Sequence, residues 1–342
     1  MSCRTLWILL FTIGCFPFAA GAEEPMNEQL KVGIIGLDTS HVVAFTKVMN
    51  DPAAKPDVAG CRVVAAYPKG SPDIEVSVSR VPGFTAELKK MGVEIVPSID
   101  ALLERVDVVL LETNDGRPHL EQVLPVFKAG KTVFIDKPLA GSLADVIAIF
   151  QAAEHYDVPI FSSSSLRYAG GAQEVRQGSL GKLTGCDAYS PCKLEPTHPD
   201  LFWYGIHGVE LLYTAMGTGC VTVSRASTPQ TDFVTGVWSD GRIGTYRGLR
   251  EGKLGYGGTA FGAKGQQPIG PYNGYRPLLV EIVQFFRTGE SPVAAEETIE
   301  LYAFMAAADE SKRQGGAPVA LQPILERAGK DAQQRLKELG AE

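Results

Sequence analysis

From Lys31 to Ser162 the chain alternates short, almost wholly apolar runs with longer stretches in which apolar residues recur every three or four positions. The short runs are Lys31–Gly36, Cys61–Tyr67, Val93–Val96, Asp107–Glu112, Lys131–Ile135 and Val158–Ser162, and they predict strands buried on both faces. The periodic stretches, Val42–Asn50, Gly83–Met91, Ile99–Arg105, His119–Ala129 and Leu143–His155, predict amphipathic helices, with Gly130 as a C-terminal cap. Alternation of this kind with short joins predicts a doubly wound parallel sheet over residues 29–162.

The rhythm changes after residue 163. Leu183–Tyr189 reads as a strand, Leu201–Met216 as one helix, and Cys220–Arg250 as strands with turn signals such as Ser239-Asp240-Gly241. Glycines crowd Gly252–Gly274, which predicts a mobile loop. Helices over Leu278–Thr288, Ala294–Gln314 and Leu321–Leu339 close the chain. Residues 163–342 therefore read as an α+β domain with a largely antiparallel sheet, suited to a substrate or oligomerisation role.

Ahead of both lies a leader. Arg4, the apolar run Leu6–Phe18 and the small residues Ala20-Gly21-Ala22 have the layout of a cleavable signal peptide over residues 1–22. The expectation is export to a periplasmic or extracellular location, with no membrane attachment after cleavage. Net charge is −7 and no basic run occurs, which argues against a nucleic-acid partner. Export permits disulfides, so Cys186 and Cys192 read either as a pair or as buried thiols. No cysteine spacing fits a metal motif.

The chemistry starts at Gly36, where a buried strand turns toward a helix whose first N–H groups suit a pyrophosphate. The turn reads Gly36-Leu37-Asp38-Thr39-Ser40-His41, so Asp38 and His41 replace the second and third glycines of a dinucleotide fingerprint. Asp38 is a cofactor neighbour or a helix cap; Thr39 and Ser40 offer hydroxyls to a phosphate. The acid expected about 20 residues further on is missing. Lys69 and Ser71 stand there instead, which tilts the choice of NAD or NADP toward NADP, unless Lys69 is an ordinary solvated lysine.

An ordered set of segments resembles the Gfo/Idh/MocA oxidoreductases. It comprises Val32-Gly33-Ile34-Ile35-Gly36, the turn Thr113–His119, Ala129–Val133, Asp136-Lys137-Pro138, Arg167, Gly205-Ile206-His207-Gly208-Val209-Glu210 and the stretch Pro292–Ser311. The resemblance implies a Rossmann domain, with Lys137 and Asp136 contacting cofactor and Asn114 beside the nicotinamide. It implies a catalytic set of Lys137 and His207, with Glu210 as orienter, and substrate contacts at His119, Arg167, Trp203 and Tyr204. The position four residues before His207, an acid in the family, holds Trp203. It implies a homo-dimer or homo-tetramer as well. Three functions stay open: an NAD(P)-dependent oxidoreductase of a sugar, polyol or related carbohydrate; a glycoside-cleaving enzyme with transient redox; and a non-catalytic binding protein on a Rossmann scaffold.

Overall fold

The computed structural model describes residues 29–341, and the leader read over residues 1–22 lies outside the described residues. The first half runs β1 (Leu30–Ile35), α1 (His41–Met49), β2 (Cys61–Tyr67), α2 (Glu75–Lys90), β3 (Glu94–Ile95), α3 (Ile99–Leu103), β4 (Val108–Leu111), α4 (His119–Lys128), β5 (Val133–Ile135), α5 (Leu143–His155) and β6 (Ile160–Phe161). The strands form one six-stranded parallel sheet in the order β3-β2-β1-β4-β5-β6. Its direction of growth reverses between β1 and β4, and a crevice opens at their carboxyl ends.

Helix α2 starts well before the predicted Gly83, passing through Pro82 and Gly83. Only Ser77 and Leu88 of it are buried, so Pro82 interrupts the helical hydrogen bonds of a largely exposed helix.

The second half runs from a 3₁₀ turn (Ser165–Tyr168) through α6 (Gly170–Arg176), β7 (Leu183–Pro191), α7 (Asp200–Trp203), α8 (Ile206–Met216), β8 (Cys220–Ser227), β9 (Thr231–Trp238), β10 (Ile243–Leu249), β11 (Gly257–Gly262) and β12 (Gly265–Pro268). Then come α9 (Arg276–Thr288), α10 (Ala295–Arg313), β13 (Val319–Ala320) and α11 (Leu321–Glu338). The sheet order is β12-β11-β7-β10-β9-β8-β13, antiparallel except where β7 runs parallel to β10. Instead of a mobile loop, Gly252–Gly274 supplies the β11–β12 hairpin at the sheet edge. Three of its glycines, Gly257, Gly258 and Gly262, sit in close packing: a Cβ at Gly258 would stand 2.1 Å from the Asp187 carbonyl oxygen. The single helix predicted over Leu201–Met216 breaks at Gly205, packed 3.0 Å from the Leu201 backbone by the same measure.

Helix α9 returns to the first sheet. Its stripe of Leu278, Ile282, Phe285 and Phe286 packs with Ile34, Phe45 and Phe161, the Phe161 and Phe285 rings 4.8 Å apart. Helices α10 and α11 lie against α5. The change of rhythm at residue 163 thus marks a change of sheet, while the two halves share their cores.

Candidate active site

Gly36 ends β1 with φ +88°, and a Cβ there would stand 2.5 Å from the Thr113 nitrogen. Only glycine lets β1 and the turn after β4 approach so closely. Asp38, two residues on, neither caps α1 nor faces the crevice. It is fully buried: Oδ1 accepts from the Asn114 N–H at 2.9 Å and Oδ2 from Ser77 Oγ at 2.6 Å. Burial raises its pKa against the pull of those bonds. With the carboxylate turned inward, Thr39 and Ser40 keep the cleft side, and their N–H groups have no acceptor among the described residues.

A cleft of about 480 Å³ lies between the start of α1, the ends of β4 and β5, and the second half. Lys137, just past β5, sits on its floor, 7% exposed, with Nζ 5.7 Å from the centre of the Tyr204 ring. Burial lowers its pKa, and the nearby carboxylates Asp136 and Glu112 oppose that. Beneath it, His41 Nδ1 lies 2.7 Å from Asp136 Oδ2 and 3.9 Å from Glu112 Oε2.

Glu112 is pushed well above the usual glutamate value by burial and by Asp136 beside it. Burial opposes ionisation of Asp136 too, but His41 and Lys137 bring it below its ordinary value. Both Glu112 oxygens and Asp136 Oδ1 lack donors, and a proton on Glu112 shared with Asp136 satisfies one Glu112 oxygen and Asp136 Oδ1. These three side chains also offer ligand atoms within 4.8 Å of one another. The direct His41–Asp136 contact is of hydrogen-bond length, and Lys137 supplies the counter-charge.

From the second half, His207 at the start of α8 reaches the same cleft. Ser164 Oγ is 2.7 Å from its Nδ1, leaving Nε2 as the free nitrogen. Burial, then the neighbouring charge of Lys137, lowers its pKa well below the ordinary histidine value, so it is neutral at pH 7. Trp203, Tyr204, Tyr256, Tyr272 and Tyr275 complete an aromatic wall, with Lys193 and Arg80 at the rim.

Several predicted site residues are elsewhere. Glu210 does not touch His207: its Oε1 accepts from Arg167 Nε at 2.5 Å and from Ser163 at 3.2 Å. Arg167, also bound to Glu297 at 2.6 Å, is buried off the cleft as the centre of this ion cluster. His119 is fully buried, its nitrogens 2.7 Å from the Thr113 carbonyl oxygen and 3.1 Å from that of Leu139, so it ties the turn after β4 to the segment after β5. Lys69 is exposed and away from the cleft, and Ser71 donates to Asp115 Oδ2 at 2.5 Å. Cys186 and Cys192 are buried free thiols.

Sequence reasoning missed Ser164, Arg80, Glu112 and the tyrosines after β10. The run Ser162–Ser165 at the end of β6, beside the crevice edge, was the available signal for the first.

A nicotinamide nucleotide fits this cleft at one end. The unspent N–H groups and hydroxyls of Thr39 and Ser40 suit a phosphate, and Asn114, Lys137 and the aromatic wall surround a place for a flat ring.

Residues 30–163 match the family described as "Oxidoreductase family, NAD-binding Rossmann fold", GFO_IDH_MocA. Inositol 2-dehydrogenase 3 of Saccharopolyspora erythraea is 29% identical over 179 residues, 49% of this chain and 48% of that protein. The match spans about half the length of the curated relatives, 48% and 42%. Among solved structures, myo-inositol 2-dehydrogenase of Lactobacillus plantarum superposes with a TM-score of 0.69 at 16% identity, covering 86% of this chain and 99% of that one. Scyllo-inositol dehydrogenase of Lactobacillus casei, with bound NAD(H) and scyllo-inositol, gives 0.66 at 17% identity, covering 86% and 100%. At these identities the likeness is one of fold.

Proposed function

Because the chain belongs to the Gfo/Idh/MocA oxidoreductases, we propose that it interconverts a secondary alcohol and a ketone on a cyclitol, polyol or sugar, using a nicotinamide nucleotide. The observation that carries this reading is the convergence of Lys137 and His207, from different halves of the chain, on one aromatic-walled cleft. A bound nicotinamide supplies the hydride exchange. The protein's part is to hold the reacting oxygen and move its proton.

With Nδ1–H donating to Ser164, the Nε2 lone pair of neutral His207 accepts the proton of a substrate hydroxyl. The Lys137 ammonium lies on the floor where the oxygen acquires negative charge, and a charge buried there is screened little by water. Faces of Trp203 and Tyr204 suit the C–H faces of a sugar ring, and the hydroxyls of Tyr256, Tyr272 and Tyr275 its oxygens. The preference for NADP that rested on Lys69 and Ser71 is not carried forward, since Ser71 is engaged by Asp115.

Export through the leader over residues 1–22 is part of this proposal, supported by the residue pattern alone. Self-association would use the second sheet's face bearing Tyr189, Val237 and Ile243, which are exposed.

The test is a screen of the chain from Glu23 onward with NAD and NADP against cyclitols, polyols and aldoses, read as reduced-nicotinamide absorbance. Turnover lost in Lys137→Met and His207→Gln supports the reading. No turnover from a folded protein across the panel overturns it.

A further inference from the structure

In a doubly wound sheet the ribose at the adenine end of a dinucleotide rests over the carboxyl end of the second strand. Here β1 lies between β2 and β4, and the loops that follow those two strands are joined across its end. Ser71, beyond β2, donates to Asp115, beyond β4, at 2.5 Å. Arg117 donates to both oxygens of Asp73 at 2.8 and 2.9 Å, and to Asp115 Oδ2 at 2.7 Å. Below this roof Asp38 links Ser77 to Asn114. From the second half, His198 Nε2 lies 3.2 Å from Asp115 Oδ1, within ion-pair reach but off the hydrogen-bond direction.

The bridge divides the crevice. Thr39, Ser40, Asn114 and Lys137 line the open cleft, as do Val76 and Arg80 of α2; Lys69, Ser71, Asp115 and Arg117 of the bridging loops do not. On the open side Lys137 is 7% exposed, with its Nζ 5.7 Å from the centre of the Tyr204 ring. It faces the same space as the unspent N–H groups of Thr39 and Ser40, a cradle for one phosphate and the group attached to it.

We infer that the chain grips its cofactor by the nicotinamide–ribose–phosphate half alone, with the adenosine half outside the crevice, so that NAD, NADP and nicotinamide mononucleotide bind alike. This rests on the nicotinamide-dependent reading above. It also explains why no ribose-reading acid follows β2: the position that would hold one belongs to the bridge.

The test is calorimetric titration of the folded chain from Glu23 onward with NAD, NADP, nicotinamide mononucleotide and ADP-ribose, repeated on Lys137→Met. Dissociation constants for the three nicotinamide compounds within about fivefold of one another, with weaker ADP-ribose and a loss for all three in Lys137→Met, support the inference. Either dinucleotide binding more than about fivefold tighter than the mononucleotide overturns it and leaves the oxidoreductase reading standing. Failure of all three to bind overturns that reading, and the inference with it.

Discussion

Ser164 Oγ lies 2.7 Å from His207 Nδ1, and the same hydroxyl accepts the Leu166 N–H at 3.1 Å. The serine is therefore held by the backbone while it holds the imidazole, as a second residue commonly does for a catalytic histidine. Ser164→Ala frees the ring to rotate and removes the partner that selects its tautomer. The expected result is a kcat lower by about tenfold or more, with KM little changed, since general acid–base assistance contributes at least that much. Steady-state kinetics on the best substrate decides it. An unchanged kcat would remove Ser164 from the site.

Burial shifts both proton-handling groups downward: His207 well below the ordinary histidine value and Lys137 below the ordinary lysine value of 10.5. Alcohol oxidation needs neutral His207 and charged Lys137. The kcat/KM profile should thus place its acid limb well below pH 6.5 and begin its alkaline fall below pH 10.5. His207→Gln should abolish the acid limb in whatever activity remains. A fall centred near pH 6.5 that survives this substitution would assign the limb to another group.

Arg167 joins Glu210 and Glu297 in the interior, so its role is to neutralise two buried carboxylates. Arg167→Met would leave both without their shared partner, though Arg176 still reaches Glu297. Removing one member of a buried ion cluster typically costs about 3–5 kcal/mol. Urea denaturation should show a loss of that order, with little change of KM in the protein that stays folded. Wild-type stability with a raised KM would return Arg167 to substrate binding.

What was legible from residues alone follows from the physics of each signal. Apolar runs reveal buried strands, and the order of strands and helices reveals which strand ends share a crevice, which places Lys137 there; His207 was joined to it by the family resemblance alone. Side-chain direction is not encoded that way. Glu210, three residues beyond His207, looked like its orienter, yet one turn deeper it meets Arg167. Asp38 read as a cofactor neighbour or a helix cap, but it accepts from Asn114, 76 positions away. The Ser164–His207 contact spans 43 positions, and no local pattern announces it. Glycine density at Gly252–Gly274 suggested mobility, where Gly257, Gly258 and Gly262 serve close strand packing and the flanking Tyr256 and Tyr272 line the cleft wall.

The carboxyl pair under Lys137 makes the last prediction. Glu112 holds its proton in the folded chain because burial and Asp136 both oppose its ionisation, whereas in the unfolded chain it ionises near its ordinary value of 4.5. Above that pH the folded state binds more protons than the unfolded state, so this group makes stability fall as pH rises, up to its own raised pKa. Glu112→Gln reproduces the protonated acid in shape and can still donate to Asp136. It should stay within about 1 kcal/mol of wild type at acid pH and gain on wild type as pH rises toward neutrality. Asp136→Asn removes the negative charge and one of the two acceptor oxygens that face His41 and Glu112. It should cost about 2–4 kcal/mol at neutral pH and shift the alkaline limb of Lys137 to lower pH, since a carboxylate that favours the ammonium is lost. Urea midpoints between pH 5 and 8 for the three proteins test both halves together. A Glu112→Gln protein destabilised as much as Asp136→Asn would mean that Glu112 works as an anion and that the pair does not share a proton.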